Sequence, residues 1–122
     1  MAPNFIYLEP IEDYYARSSI KLEVIITDRN SIDEVKLFYR FSRGQGYSVI
    51  IMEEGDQPVI YEGTISEDEV ELGEIQYYFW AKDNYGNQAT WPEGGEDLPM
   101  VLPIYPSMKE KVEKTVSKEI PI

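Results

Sequence analysis

Two polar segments of the sequence carry the side-chain oxygens that Ca²⁺ prefers as ligands. Asp28, Asn30 and Asp33 follow one another closely, and Asp83 stands in a second polar segment further along the chain. Protein-bound Ca²⁺ is usually surrounded by about six to eight oxygen atoms, so a site is possible if the fold brings these segments together. However, the spacing of a calcium-binding DxDxDG loop is absent, and turn formation alone explains Asp83. We therefore expect solvated loops, with no bound metal and no cofactor.

Catalytic chemistry is a second possibility, and the composition restricts it. The chain has no His and no Cys, which removes the most common general base and the thiolate nucleophile. An enzyme would have to use carboxylates alone, as glycosidases do with two carboxyl groups about 5–10 Å apart. Acidic residues are plentiful, but no cleft can be inferred from a chain this short. We therefore expect a protein without catalytic activity.

The third possibility is a binding surface made of aromatic and basic side chains. In a β-strand successive side chains point to opposite faces, so residues 76–82 divide between an inner and an outer face. Residues 34–42 divide in the same way. If these two strands are neighbours in one sheet, their outward side chains form one patch, which consists of Phe38, Arg40, Tyr78, Trp80 and Lys82.

Three interpretations of this aromatic patch are open. A contiguous apolar surface on a monomer usually marks an interface, so the patch could contact a partner protein or a neighbouring domain. The chain could instead cover its own patch, either with residues 93–97 or with its C-terminal tail. Flat aromatic rings also stack on sugar rings, which keeps carbohydrate binding open. We favour a protein partner or a neighbouring domain.

Seven β-like segments separated by turn residues can be recognised along the chain. They alternate apolar and polar residues, as strands with one buried face do. The clearest segment places Ile20, Leu22 and Val24 on its inner face. The segments are residues 4–8, 19–27, 34–42, 47–52, 59–65, 75–82 and a last one from residue 88 onward. Short strands at this spacing, without a convincing helix, predict a β-sandwich.

The last segment contains two prolines that restrict its place in a sheet. Pro99 and Pro103 are an even number of residues apart, so their missing N–H groups face the same side of the strand. This is tolerated only at an edge whose outer side is unpaired. We therefore expect an edge strand, with residues 92–97 bulging out between an early part, residues 88–91, and a later part.

Two segments resemble strands of known β-sandwich modules. Residues 77–87 resemble the penultimate strand and following turn of fibronectin type III and related immunoglobulin-like modules, and residues 35–40 resemble strand C of bacterial immunoglobulin-like modules. The positions that carry the resemblance are Asp28, Val35, Leu37, Tyr39, Tyr77, Tyr78, Ala81, Asp83, Gly86 and Asn87. The chain departs from fibronectin type III in having no Trp in residues 19–27, and from antibody domains in having no Cys pair.

This resemblance implies a fold and a role for one tyrosine. The expected fold is all-β: an immunoglobulin-like, fibronectin III-like antiparallel β-sandwich of about seven strands, formed by residues 1–105. Residues 106–122 are expected to be a C-terminal linker or a short helix. The resemblance also makes Tyr77 the tyrosine corner of such modules, and we expect its hydroxyl to bond to the backbone between Glu69 and Gly73.

Charge and the resemblance together give expectations about partners and location. The net charge of −12 disfavours nucleic acid, because phosphate binding needs clustered Lys and Arg. No apolar run reaches the length that spans a membrane, so we expect no membrane insertion by this segment. Bacterial modules of this kind mostly serve as spacers, adhesive units or accessory domains of exported proteins.

The expected function is therefore that of a non-enzymatic structural or protein-interaction module within a larger extracytoplasmic bacterial protein. Its partners would be neighbouring domains or another protein. The alternative is a carbohydrate-binding accessory domain of a surface glycoside hydrolase or adhesin, with a glycan as the partner.

Overall fold

The computed structural model of the protein describes residues 2–107. Within that range the chain consists of β-strands and connecting segments, with one short 3-10 helix at Glu67–Glu69. The strands are β1 (Asn4–Tyr7), β2 (Tyr14–Tyr15), β3 (Ile20–Thr27), β4 (Ile32–Arg40), β5 (Ser48–Ile51), β6 (Glu53–Glu54), β7 (Ile60–Ile65), β8 (Gly73–Asp83), β9 (Gln88–Trp91) and β10 (Met100–Tyr105). Within residues 2–107, no helix is long and apolar enough to cross a membrane. The predicted all-β class is confirmed.

The strands form two sheets that share one core. The smaller sheet has the order β1-β3-β7-β6, and the larger has the order β2-β10-β8-β4-β5, with β9 also paired to β8. Paired strands are antiparallel, except that β2 and β10 are parallel. The buried apolar cluster contains residues from both sheets, so the molecule is a β-sandwich.

The long strands follow the alternation that the sequence predicts. Leu37 of β4 and Phe79 of β8 stand directly opposite each other, and both are fully buried. Val24 and Ile26 of β3 belong to the same core cluster and come from the smaller sheet. Removing one such apolar side chain from water contributes about 1.5–3 kcal/mol to folding. The inner faces predicted for these strands are confirmed.

The last predicted strand is divided into β9 and β10, both of which pair with β8, so the predicted interruption is confirmed. The Ala16 N–H donates to the Tyr105 carbonyl oxygen (2.8 Å), which therefore points away from β8 and toward β2. Because this direction alternates along a strand, the missing N–H of Pro103 also points away from β8. The predicted edge is correct as far as Pro103. It is wrong at Ile104 and Tyr105, where β2 pairs with β10.

Two short strands, together with the division of the last strand, raise the number of strands from the predicted value of about seven to ten. β2 contains only Tyr14 and Tyr15, and β6 contains only Glu53 and Glu54. Residues 53–56 lie between two of the predicted segments, but residues 53 and 54 form β6, which pairs with β7. The chain that leaves β5 in the larger sheet thus passes at once into the smaller sheet, with the Met52 side chain buried at the crossing.

Tyr77 is fully buried, but its hydrogen bond differs from the expected one. The Tyr77 hydroxyl lies 2.9 Å from the hydroxyl of Tyr7 on β1, in the opposite sheet. The expected bond to the backbone between Glu69 and Gly73 is therefore wrong, because the Tyr77 ring reaches across the core. Burial raises the pKa of Tyr77, so this hydroxyl stays protonated. The pair is a polar tie between the two sheets.

Strand β10 ends at Tyr105. Pro106 and Ser107 follow it without forming a strand. The remainder of the predicted linker or short helix, residues 108–122, lies outside the described residues.

The Tyr7–Tyr77 hydroxyl pair can be tested by a double-mutant cycle. Tyr7→Phe and Tyr77→Phe should each lower the free energy of unfolding by about 1 kcal/mol, because each leaves the other hydroxyl without its partner. The double variant should cost no more than about one of the single variants, since both remove the same bond. Urea unfolding measures all three, with Tyr85→Phe on the exposed turn as a near-neutral control. Strictly additive losses would contradict the pairing.

Candidate functional site

The larger sheet turns one face toward the core and the other, here called the outer face, away from it. The pairing of β4 with β8 and β5 places Tyr78 and Val49 on either side of Phe38. Directly paired residues point to the same face of a sheet, so one continuous surface results. The outer face includes Lys36, Phe38, Arg40, Tyr47, Val49, Ile51, Tyr78, Trp80 and Lys82, together with the polar residues Glu34, Gln76, Gln88 and Thr90 that pair with them.

Tyr78 lies at the centre of the outer face and is covered by its neighbours. The ring of Phe38 stacks on it with the two planes 4° apart and the centroids 4.7 Å apart. The ring of Tyr47 stands edge-on to it at 5.0 Å. As a result only 9% of Tyr78 is exposed. The sequence expectation that Tyr78 forms part of an exposed patch is therefore wrong, because Tyr47 covers it.

The segment of residues 92–97 forms a wall along this face. The Tyr47 hydroxyl donates to the Glu96 carbonyl oxygen (2.9 Å), and the Thr90 hydroxyl donates to the Glu93 carbonyl oxygen (3.2 Å). Gly95 has a φ of 54°, which favours glycine. A cleft of about 370 Å³ lies between this wall and the rings of Phe38, Tyr78 and Trp80. Self-cover, one of the three interpretations of the patch, therefore accounts for part of it.

Trp80 is a half-buried aromatic ring of the outer face that is held in place by its neighbours. Its indole N–H donates to the Gln88 Oε1 atom (3.1 Å) on the neighbouring strand β9. The Lys36 ammonium group lies 5.2 Å from the ring centroid, a distance at which a cation is attracted to the π-face. A ring fixed in this way can stack on a ligand without first losing rotamer freedom.

The basic residues of the predicted patch have partners within the chain. The Arg40 guanidinium lies 4.3 Å from the Tyr47 ring centroid, and its Nε atom donates to Gln76 Oε1 (2.8 Å). The Lys82 ammonium group pairs with an Asp33 carboxylate oxygen at 3.5 Å. Arg40 and Lys82 therefore flank the aromatic rings as predicted, but each also stabilises its own sheet.

The four calcium candidates are used differently by the fold. The Asp28 Oδ1 atom accepts a hydrogen bond from the Asn30 N–H (2.8 Å) and so closes a tight turn. Asp33 is engaged with Lys82. Among residues 2–107, no group of three or more acidic, His or Cys side chains is arranged to hold a metal ion. Asp28 Oδ2 is buried, and the Asp28 carboxyl group adjoins that of Asp83 and contributes to the lowered pKa of Asp83, so the fold brings two of the four candidates together.

Asp83 is fully buried and organises the turn that follows β8. Its Oδ1 atom accepts from the N–H groups of Tyr85 and Asn87 (2.9 Å each), and its Oδ2 atom accepts from the Asn87 side-chain amide (3.0 Å). Burial by itself would raise the pKa of Asp83, but these hydrogen bonds stabilise the carboxylate and hold its pKa at about 2. The chemistry of Asp83 is therefore structural.

A larger concave surface of about 970 Å³ lies between residues 8–15 and residues 18–23. Its walls carry apolar and aromatic residues, among them Leu8, Ile11, Tyr14 and Tyr15, together with the charged residues Glu9, Glu12, Asp13, Lys21 and Glu23. Sequence reasoning did not predict this groove, because no motif marks it. Acidic side chains on an open surface are usually solvated, so the outer face is the stronger candidate.

Several members of the outer face were missed by sequence reasoning. Lys36 could have been found, because it lies two residues before Phe38 on the same strand and so points to the same face. Val49 and Ile51 could not, since their position depends on how β5 pairs with β4. Tyr47 also depends on tertiary structure, because it precedes β5 and folds over Tyr78.

Comparison with known proteins adds no family to this description. No protein-family model matches the chain, and no curated protein sequence matches it. The functional conclusion therefore rests on the geometry of the outer face and on the resemblance described above.

The hydrogen bonds to Asp83 predict an acid-sensitive contribution to stability. The pKa of Asp83 falls from its ordinary value of 3.8 to about 2 in the folded chain. The contribution is therefore present above about pH 4 and is lost as the pH falls toward 2. Asp83→Asn should lower the melting temperature at pH 6, and its difference from the wild type should shrink by pH 2. A difference in melting temperature that is constant with pH would contradict this role of Asp83. Asp33→Asn, at an exposed carboxylate, serves as the control.

Proposed function

We propose that the chain is a non-catalytic immunoglobulin-like β-sandwich module that binds another protein, or a neighbouring domain, through its outer face. The observation that carries this proposal is the row of partly exposed apolar side chains on that face. Phe38 pairs with Val49 on one side and Tyr78 on the other, and in the neighbouring row Lys36 stands between Trp80 and the exposed residue Ile51. Exposed apolar patches of this kind usually mark interaction sites.

The strand order supports the immunoglobulin-like part of the proposal. The first two strands belong to different sheets, with β1 beside β3 and β2 beside β10. The strand with the resemblance to the penultimate strand of such modules, β8, lies between β4 and the divided last strand. This is the neighbourhood that the resemblance implies for it.

The energetic case for a covered outer face is direct. Trp80 and Phe38 are half-buried, and Val49 and Ile51 are exposed. Covering about 200 Å² of apolar surface is worth roughly 5 kcal/mol before ordering costs, at about 25 cal/mol per Å². Because Trp80 is already held by Gln88, little side-chain freedom is lost when a partner docks on it.

A second candidate function is carbohydrate binding, and one observation favours it. The cleft beside Trp80 is lined by aromatic rings on one side and by Glu96 and Asp97 on the other. Aromatic rings can stack on a sugar, while carboxylates accept hydrogen bonds from its hydroxyl groups. We rank it second because Tyr78 is already covered by Tyr47 and Phe38, which leaves Trp80 as the main stacking surface.

The proposal also includes the absence of catalytic activity and an extracytoplasmic location. A chain without His or Cys has few groups that can activate a nucleophile at neutral pH. Placement within a larger extracytoplasmic bacterial protein is supported by the resemblance alone.

A site-specific cross-linking experiment tests the proposed interface. A photoreactive amino acid at position 36 lies beside Trp80, whereas one at position 21 lies on the smaller sheet. In cells that naturally express the protein, position 36 should give a covalent adduct with a partner or a neighbouring domain. Trp80→Ser should reduce that adduct about tenfold, equivalent to ~1.4 kcal/mol, while the melting temperature changes little. Equal adducts from positions 36 and 21 would refute the interface.

Binding to a glycan array separates the two candidate functions. If the protein-binding proposal is correct, no glycan should bind both the wild type and Tyr85→Ala while failing to bind Trp80→Ser. Tyr85→Ala is a matched change of an exposed aromatic residue outside the outer face. A glycan with that behaviour would favour carbohydrate binding instead.

A further inference from the structure

The groove between residues 8–15 and residues 18–23, here called the acidic groove, brings apolar side chains together at the surface. Ile11 is 98% exposed, and Leu8 and Tyr14 are half-buried. Single exposed apolar residues are ordinary on a protein surface, but these three line one concavity of about 970 Å³. That volume is near the upper end of the range for binding sites of small molecules, so the groove has room for several side chains of a ligand.

The acidic groove also carries negative charge that the described chain leaves unpaired. Its carboxylates are those of Glu9, Glu12, Asp13 and Glu23, and within residues 2–107 none of them forms an ion pair. The basic residue of its lining, Lys21, is already paired with Glu62 on β7, with 3.0 Å between Nζ and Oε2. Burial raises the pKa of Tyr14 to about 12, and the charges of Glu12 and Glu23 contribute to this rise. Carboxylates from both walls therefore act on the same ring.

The last strand of the sandwich ends at the border of this groove. Tyr105 at the end of β10 stands opposite Tyr15, and the Ala16 N–H donates to the Tyr105 carbonyl oxygen (2.8 Å). The centroids of the Tyr15 and Tyr105 rings are 6.1 Å apart. Because Tyr15 lines the groove, the chain that continues beyond Ser107 starts close to it.

Residues 108–122, here called the C-terminal tail, differ in composition from the rest of the chain. They contain four Lys and three Glu, a net charge of +1, whereas the whole chain has a net charge of −12 and the remainder therefore carries −13. Their large apolar residues recur every fourth position, a spacing that places side chains on one side of a helix. These residues are Met108, Val112, Val116 and Ile120.

We propose that the C-terminal tail occupies the acidic groove of its own chain, with its Lys side chains against the carboxylates and its apolar side chains against Ile11 and Tyr14. The length of the tail fits this arrangement. The groove wall from Ser18 to Glu23 is about 17 Å long at about 3.4 Å per residue. Fifteen residues span about 22 Å when helical and more when extended, so the tail can follow the groove from one end to the other.

Attachment selects the tail of the same chain over a separate molecule of similar chemistry. A segment joined to its site by a short connection has an effective concentration of about 1 mM or more. A free partner, or the tail of a second copy, reaches the groove only at its own concentration in solution. The tail of the same chain therefore occupies the groove first, even if each of its contacts is weak.

Charge selects the acidic groove over other surfaces that the tail could reach. The outer face carries Lys36, Arg40 and Lys82 beside its aromatic rings, and these would repel the Lys side chains of the tail. The 3-10 helix Glu67–Glu69 is also acidic, but the concavity beside it is only about 260 Å³. The groove at Tyr15 combines negative charge, an apolar lining and the larger volume.

Paramagnetic relaxation, measured by NMR on the full chain, tests whether the tail lies in the groove. The chain has no Cys, so Ser117→Cys provides a single attachment point for a nitroxide spin label. The label should broaden the amide signals of residues 9–13 and 19–23 strongly. It should leave those of residues 48–51, at the opposite edge of the larger sheet, much less affected. Similar broadening of all three segments, or none, overturns the proposal.

Matched charge reversals show whether the groove is responsible. Glu12→Lys combined with Asp13→Lys should reduce the broadening of residues 19–23 severalfold. Glu67→Lys combined with Asp68→Lys changes the net charge equally at exposed residues outside the groove and should not reduce it. Thermal melting checks that both variants fold. Equal reductions in the two variants would show attraction to negative charge in general and would overturn the proposed site.

A mixed sample distinguishes the tail of the same chain from that of a second copy. Spin-labelled chains without ¹⁵N are mixed with ¹⁵N-labelled chains without the spin label, at about 0.1 mM, below the effective concentration expected for an attached segment. The proposal expects no selective broadening of residues 9–13 and 19–23 in this sample. Such broadening would mean that the tail of another copy occupies the groove, and would overturn the proposal.

Docking of the tail goes beyond the function proposed for the outer face, because the two surfaces share no residue. The groove is formed by residues 8–15 and 18–23, whereas Trp80 lies on β8. Trp80→Ser should therefore leave the broadening of residues 9–13 unchanged, and reversal of the groove charges should leave the cross-link from position 36 unchanged. Failure of one proposal is thus distinguishable from failure of the other.

Discussion

The register between β4 and β8 is the constraint on which the rest of the structure depends. It places Leu37 opposite Phe79 on the core side and Phe38 opposite Tyr78 on the outer side. A slip of one residue would exchange these two sets and move core side chains into water. Since β8 also pairs with β9 and β10, the same register positions both parts of the last strand.

This register places aromatic rings on the outer face beside the basic residues Lys36, Arg40 and Lys82, and the loops then decide how much of that face meets water. Tyr47 and residues 92–97 cover Tyr78, and the wall is held by the Tyr47–Glu96 hydrogen bond. What is left partly exposed is Trp80 at one side and the β5 edge at the other. The exposed part of the proposed binding surface therefore lies at these two places.

The polar interactions of the molecule mostly fix geometry rather than supply reactive groups. Asp83 is surrounded by donors that stabilise its charge, which makes it a turn organiser. The Tyr7 and Tyr77 hydroxyl groups satisfy each other across the core. Most of the remaining acidic residues are solvated or half-buried, and they account for the negative charge of the chain without forming a metal-binding cluster in residues 2–107.

The sequence by itself determined the long strands and their inner faces, because alternation is a local property that each segment expresses alone. It also determined that the last strand is divided and that Pro103 needs an open side. Only the tertiary structure decided that Tyr77 bonds to Tyr7, 70 residues away, that Tyr47 covers Tyr78, and that Val49 and Ile51 join the outer face. These contacts depend on which strands become neighbours and on where loops fold back, and no spacing within one segment encodes either.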